Sequence, residues 1–236
     1  MECSRSIELN LVFFFIFLCC PPDNKDRLFT SSFFHFSDKP GEHDFNILRT
    51  LVLADGPILR ARHAGRPTRD FLFVDPVIDG RSLLKIRNVN NFSGVLGVFN
   101  CQGSGGWSLK GDANATVSST IAISGQVSPM DVVFIEGVAS ENWTSDCAVF
   151  ASKSENFLNI NLMVAHVVIT ASLSQLSKKG SLNLSLCTLQ CEIYDISPIR
   201  DFYHKVQFAP LGLIGIYNSG GAIEDLNGSD DSLDVK

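Results

Sequence analysis

VLGVFNCQGSGGWS, residues 95–108, is an apolar run that ends in a polar, glycine-rich exit. Three readings compete for it, and each implies a different fold. A phosphate-binding loop would place it at a strand-to-helix junction of an α/β domain. A reactive thiol would make Cys101 a nucleophile. A buried strand with a tight glycine exit would belong to an all-β domain. The P-loop reading requires Lys-Ser/Thr after the glycines, and Trp107-Ser108-Leu109 stands there instead. The dinucleotide fingerprint requires GxGxxG opening a helix, and neither the spacing nor a helical pattern is present. Cys101 has no neighbouring His or cation in sequence to lower its pKa. The buried strand is the reading that remains.

Outward from that strand the chain continues to read as β-structure. Leu83, Leu84 and Ile86 precede the turn signal Asn88-Val89-Asn90-Asn91, so residues 83–99 read as a hairpin of two buried strands. Ser128-Pro129-Met130-Asp131 carries a helix-start or turn signal. Asp146 to Phe150 reads as a strand with Cys147 and Val149 on one side. Leu182, Leu184 and Leu186 alternate, and Leu189, Cys191 and Ile193 continue on the opposite parity, which predicts a β-bulge near Cys187-Thr188. Phe208 to Tyr217 and the closing Gly220-Gly221 complete the set. Upstream, Phe45, Leu48, Leu51 and Val52 recur at helical spacing between a candidate N-cap, Asp44, and the stop Asp55-Gly56. The pattern predicts a mainly β fold, an antiparallel β-sandwich with a helical piece in front.

Composition narrows the function. The chain has 236 residues, 45% of them apolar, enough to build a sizeable core. A net charge of −6 offers no basic stripe to neutralise phosphates, so a nucleic-acid partner is not expected. The seven cysteines lack metal-type spacing and read as small buried hydrophobes in a reducing, cytoplasmic setting; neither metal nor cofactor is expected. Leu11 to Leu18 is intensely apolar but too short to span a bilayer, so a membrane partner is not expected. With five Asn-x-Ser/Thr sequons (Asn91, Asn114, Asn142, Asn183, Asn227), that run leaves secretion as the alternative location. Residues 224–236 are acidic, with Gly and Ser interspersed, and read as a disordered tail.

The order of motifs carries a resemblance. SDKPGEHDF (37–45), ILRARHAGRPTRD (58–70), DGRSLLKI (79–86), GVFNCQG (97–103), SPMDV (128–132), ENWTSDCAVF (141–150), TLQCEIYDISPI (188–199) and FAPLGLIGIYNSGGAIE (208–224) together resemble the plant raffinose synthase family. That family includes the seed-imbibition proteins and alkaline α-galactosidases, and the arginine-rich form at 58–70 is most similar to those branches. The resemblance implies a (β/α)₈ barrel followed by a C-terminal β-sandwich. It implies transfer of an α-galactosyl group from galactinol or an oligosaccharide to sucrose or water, with galactinol, sucrose or raffinose-type sugars as partners. Retaining chemistry of this kind needs two carboxylates about 5–5.5 Å apart. In the family both aspartates lie upstream of the SDKPG segment, which begins here at residue 37. A barrel takes about 250 residues, so residues 37–66 can supply only its last unit.

The resulting expectations are specific. Residues 1–36 are expected to be unrelated to the family, 37–66 to be a barrel remnant, and 67–223 to form the sandwich. Residues 155–171 are expected to be an insert in a short strand connection; with 1–36, they read as translated intron or mis-joined exon. Arg87 stands where the family usually has Trp. No catalytic residue is expected in this chain, which is therefore expected to be inactive alone, with a non-catalytic sugar- or partner-binding module as the alternative. Ser37 and Asp38 are candidate substrate contacts, at the C-terminal end of the last barrel strand. His43-Asp44 reads as a helix-capping pair, and Trp107 and Trp143 as core or rim plugs. Asp70, Asp75 and Asp79 read as turn formers. Arg60, Arg62, Arg66 and Arg69 are expected to pair with carboxylates where barrel and sandwich meet. Without a barrel beneath it, the helix from Asp44 would expose its apolar stripe, and self-association is expected.

Overall fold

A computed structural model describes residues 45, 49–102, 122–139, 143–153, 173–202, 206–213, 215–228 and 233–235. Its main sheet is built on the hairpin anticipated above. Strand β2 (Leu84–Val89) pairs antiparallel with β3 (Gly94–Phe99), in register from Leu84↔Phe99 to Val89↔Gly94. Asn88 and Val89 are still strand; the turn lies one step later, where the Asn90 amide donates to Ser93 O at 2.7 Å. A two-residue strand, β1 (Arg66–Pro67), flanks β2. On the other side β3 pairs with β8 (Cys191–Phe202), then come β5 (Trp143–Ala151) and β6 (Leu173–Ser177). The sheet order is β1-β2-β3-β8-β5-β6, with β9 (Val206–Phe208) paired to the far end of β8.

Every residue of β3 is buried because this sheet is covered on both faces, which is why the sequence there is apolar without alternation. On one face Leu96, Val98, Cys147, Val149, Tyr194 and Ile196 pack against a smaller ladder formed by β4 (Ile123–Val127) and β7 (Leu182–Leu186). Val132, Ile135 and Val138, around the short helix α1 (Ile135–Val138), close that layer. On the other face Ile86, Val95, Phe99, Cys191 and Ile193 pack against Leu51 and Tyr217. Each fully buried side chain of this size contributes about 1.5–3 kcal/mol, so the two layers of core hold the sandwich together.

Several local readings need correction. The parity change after Leu186 is a turn between layers, with Leu189 at φ 62°: β7 ends in the small ladder and β8 begins in the main sheet. The β-bulge lies in β5 instead, between Trp143 and Cys147, with Ser145 at φ 72°. Pro198 of β8 faces Cys147 there, and a proline, having no N–H to donate, is accommodated where the partner strand leaves the ladder. Within 208–217 only Phe208 is strand; Pro210 and the positive-φ residues Gly212 and Gly215 carry the described residues from there to Tyr217 as an irregular segment. The acidic C-terminal stretch is not wholly loose, because β10 (Leu226–Gly228) pairs antiparallel with β11 (Leu233–Val235). Its entry is pinned by Asp225, whose carboxylate accepts from the Leu226 amide and the Asn227 side chain.

Phe45 and Arg49 are helical, but the helix expected through Val52 stops sooner: Thr50 and Leu51 form a turn, and Val52 bridges antiparallel to Ile58. The apolar stripe is partly covered by the sandwich itself: Leu51 is 1% exposed against Ile86 and Phe99, whereas Phe45 is 68% exposed. Ser128 caps its 3₁₀ turn as a capping box, accepting from the Met130 amide while Asp131 accepts from the Ser128 amide. Residues 1–36 and 155–171 lie outside the described residues.

Candidate functional site

The exit from β3 is a structural clamp. Asn100 donates its side-chain amide to Leu186 O at 2.8 Å and accepts from the Gln102 amide at 3.1 Å, which ties β3 to the β7–β8 turn. Gln102 donates to Pro76 O and Asp79 Oδ1, both at 2.8 Å, and accepts from the Gly80 amide at 2.9 Å. Burial pushes the Cys101 thiol up to about 11, with Cys191 adding to it, so Cys101 is no nucleophile. Residues 103–108, including Trp107, lie outside the described residues.

The carboxylates in the described part have structural duties. Asp79 closes a turn by accepting from the Arg81 and Ser82 amides, both at 3.0 Å. Burial opposes its ionisation, but bonds from Ser82, Arg81 and Gln102 outweigh that and hold its carboxyl down to about 2. Asp75 accepts from the Val77 amide at 2.9 Å. Asp70 and Asp131 grip Lys85 Nζ from two sides, at 3.0 and 3.1 Å. Asp75 and Asp79 are therefore the turn formers expected, while Asp70 is an ion-pair partner.

Asp195 is different. It sits in the middle of β8, fully buried, on the face that carries Ile193. Ser152 Oγ donates to its Oδ2 at 3.3 Å, while its Oδ1 has no hydrogen-bond partner. Burial pushes the carboxyl up to about 7, and the neighbouring Ser152, Ser219 and Gly220 groups only partly offset this. The segment above Asp195 is the IYNSGGAIE stretch. Asn218, held at φ 58°, accepts from Asn90 Nδ2 at 2.8 Å and donates to Leu59 O at 3.4 Å. Gly220 lies so close to the β2–β3 turn that a Cβ there would sit 1.9 Å from Ser93 Oγ. The glycine pair Gly220-Gly221 thus has a steric basis in a polar hub under the C-terminal segment.

A cleft of about 290 Å³ opens at the β1 edge, lined by His63, Ala64, Arg66, Arg87, Asn88, Val89 and Phe134. Asn88 fixes its wall by hydrogen-bonding both the amide and the carbonyl of His63. The Arg87 guanidinium lies over the Phe134 ring, 5.7 Å from its centroid, and donates to Val133 O at 3.5 Å. Burial lowers the Arg87 pKa, and the charges of Arg66 and Arg69 lower it further. Arg66 and Arg69 thus lie beside another cation, and among the described residues neither has a carboxylate partner.

Other candidates are placed as follows. Ser37, Asp38, His43 and Asp44 lie outside the described residues. Trp143 is half-buried against the core and donates to Asp146 O at 2.7 Å, as a rim plug does. Among the described residues no group of three His, Cys, Asp or Glu side chains could hold a metal ion. Phe134 and Asp195 were missed in sequence, although an acid inside the apolar run CEIYDISPI was a visible signal.

A profile of the family described as "Raffinose synthase or seed imbibition protein Sip1" matches residues 23–236, so the likeness begins fourteen residues before the boundary drawn from the motifs. Among curated proteins, the chain is similar to a probable galactinol–sucrose galactosyltransferase 1 of Arabidopsis thaliana, 42% identical over 199 residues. It is 35% identical over 204 residues to the galactinol–sucrose galactosyltransferase of Pisum sativum and 30% identical over 196 to the stachyose synthase of the same plant. These matches cover 84%, 86% and 81% of this chain, but 24%, 24% and 21% of the relatives. The chain thus spans about a quarter of their length.

Proposed function

The chain belongs to the raffinose synthase and seed imbibition protein family, and on that premise we propose that it is the C-terminal β-structured part of a galactinol–sucrose galactosyltransferase or α-galactosidase-like enzyme that contributes no catalytic carboxylate. One observation carries this reading: four carboxylates of the described residues are committed to structure. Asp70 and Asp131 hold Lys85, Asp79 closes a turn, and Asp195 is buried beneath the C-terminal segment. None is one of a free pair facing a sugar-sized opening, as retaining hydrolysis or transfer needs. Galactinol, sucrose and raffinose-type sugars are then the substrates of the enzyme as a whole, with the two aspartates in the part of the relatives' length not matched here. A cytoplasmic setting suits the buried thiols of Cys101 and Cys147, which form no disulfide. The test is an assay of the purified chain for raffinose formation from galactinol and sucrose. No product is expected; turnover would overturn the reading.

A non-catalytic sugar-binding role is the second reading. It is favoured by a shallow groove on the solvent face of β4 and β7, lined by Ser124, Gln126, Asn183 and Ser185. Its amides and hydroxyls, with Gln126 donating to Asn183 at 3.1 Å, are the donors and acceptors that sugar hydroxyls take. Saturable calorimetric binding of raffinose, lost in Asn183→Ala, would support it; no heat would reject it.

A further inference from the structure

We propose that the cleft at the β1 edge is a binding site for a small oxyanion, a phosphate ester or a carboxylate, gripped between Arg66 and Arg87. The register of the sheet makes the first argument. Arg66 of β1 is the direct antiparallel partner of Arg87 of β2, so the two side chains leave the same face of the ladder. Like charges directly opposite each other destabilise a strand pair, and Arg69 adds a third positive charge nearby. An anion between Arg66 and Arg87 converts that repulsion into binding energy.

Among the described residues a cation is neutralised elsewhere on this strand and not here. Lys85 stands two residues before Arg87 on the same strand and receives two carboxylates. At the cleft the lining residues are His63, Arg66, Arg87, Asn88, Phe134 and two apolar side chains, with no acid among them. Asn88 is engaged with the His63 backbone, so it holds the wall and leaves recognition to the arginines. Arg87 Nε is buried and has no hydrogen-bond partner. A guanidinium presents its N–H groups as a fork that matches two oxygens of one carboxylate or phosphate.

Phe134 supplies the third observation. It adopts φ 81°, a left-handed conformation unusual for an aromatic residue, immediately before α1. In that conformation its ring lies under the Arg87 guanidinium while the residue remains 61% exposed. Backbone strain of this kind gathers where a ligand clamp must be held in place. A cleft of about 290 Å³ has room for the oxyanion and a small carbon skeleton attached to it. The recognition of an anion here does not depend on the assignment above.

The experiment is calorimetric titration of the purified chain with inorganic phosphate and, separately, with citrate, each against sodium chloride at matched ionic strength. Three variants accompany it: Arg66→Gln, Arg87→Gln, and Arg81→Gln as a control whose side chain is 81% exposed and outside the cleft. Arg66 is exposed, so its replacement leaves the core untouched even if Arg87→Gln weakens the fold. Saturable binding of at least one probe is expected, weakened about tenfold or more in Arg66→Gln and unchanged in Arg81→Gln. Binding of phosphate alone assigns a phosphate ester, and of citrate alone a carboxylate ligand. No saturable heat beyond chloride with either probe, or equal affinity in Arg66→Gln and the parent, would overturn the proposal.

Discussion

Replacing Asp195 with asparagine should change how stability depends on pH, because this carboxyl is fully buried in the central strand of the main sheet. Its pKa rises from the ordinary 3.8 to about 7 in the fold, chiefly through burial. Between those values the folded protein keeps a proton that the unfolded chain releases, so stability falls as pH rises. The fall starts near pH 4, is complete above pH 7, and at 1.36 kcal/mol per pH unit amounts to about 4 kcal/mol. That is a large share of a typical total of about 5–15 kcal/mol. Asparagine keeps the shape and carries no charge, so the variant lacks this slope. Urea unfolding of both proteins from pH 4 to pH 8, followed by tryptophan fluorescence, reads the difference directly. The stability of Asp195→Asn relative to the parent should climb by about 4 kcal/mol across that range, whatever its constant offset. Parallel profiles would refute the reasoning, since they would mean that Asp195 is solvated or ionised in the fold.

Other outcomes follow from the same packing. Lys85→Met leaves Asp70 and Asp131 without their cation and should cost about 1–2 kcal/mol at neutral pH, shrinking as Asp70, whose pKa the lysine helps to lower, protonates in acid; urea midpoints at pH 7 and pH 3.5 check this. Gly220→Ala drives a methyl group into Ser93 Oγ and should destabilise by about 1–3 kcal/mol, whereas Gly137→Ala, with nothing within 4 Å, should not. Burial pushes the thiols of Cys101 and Cys147 up to about 11 and about 12, so iodoacetamide at pH 8 should label the partly exposed Cys187 and spare both until denaturant is added, as peptide mapping would show.

The hairpin at 84–99 was legible because β3 is apolar on both faces, Leu84 and Ile86 mark β2, and a polar turn separates them. Ser128 to Asp131 was legible because a capping box is written in local residue types. The order of the strands was not. Where Leu186 gives way to Cys191, the parity change reports a crossing between layers, and a bulge in a single strand would produce the same pattern. The actual bulge depends on Pro198 meeting Cys147, a pairing between strands that are about fifty residues apart and that only the assembled sheet displays. The cleft was hidden for the same reason: Arg66 and Arg87 become neighbours only through register. Asp195 was hidden by its context, since an acid in an apolar run can face solvent as readily as a core.

The assignment rests most directly on one measurement: incubation of the purified 236-residue chain with galactinol and sucrose, with the products separated by anion-exchange chromatography. The account predicts no raffinose and no free galactose above the level of a protein-free control. Raffinose or galactose formed in proportion to protein, and lost when its carboxylates are replaced, would contradict it.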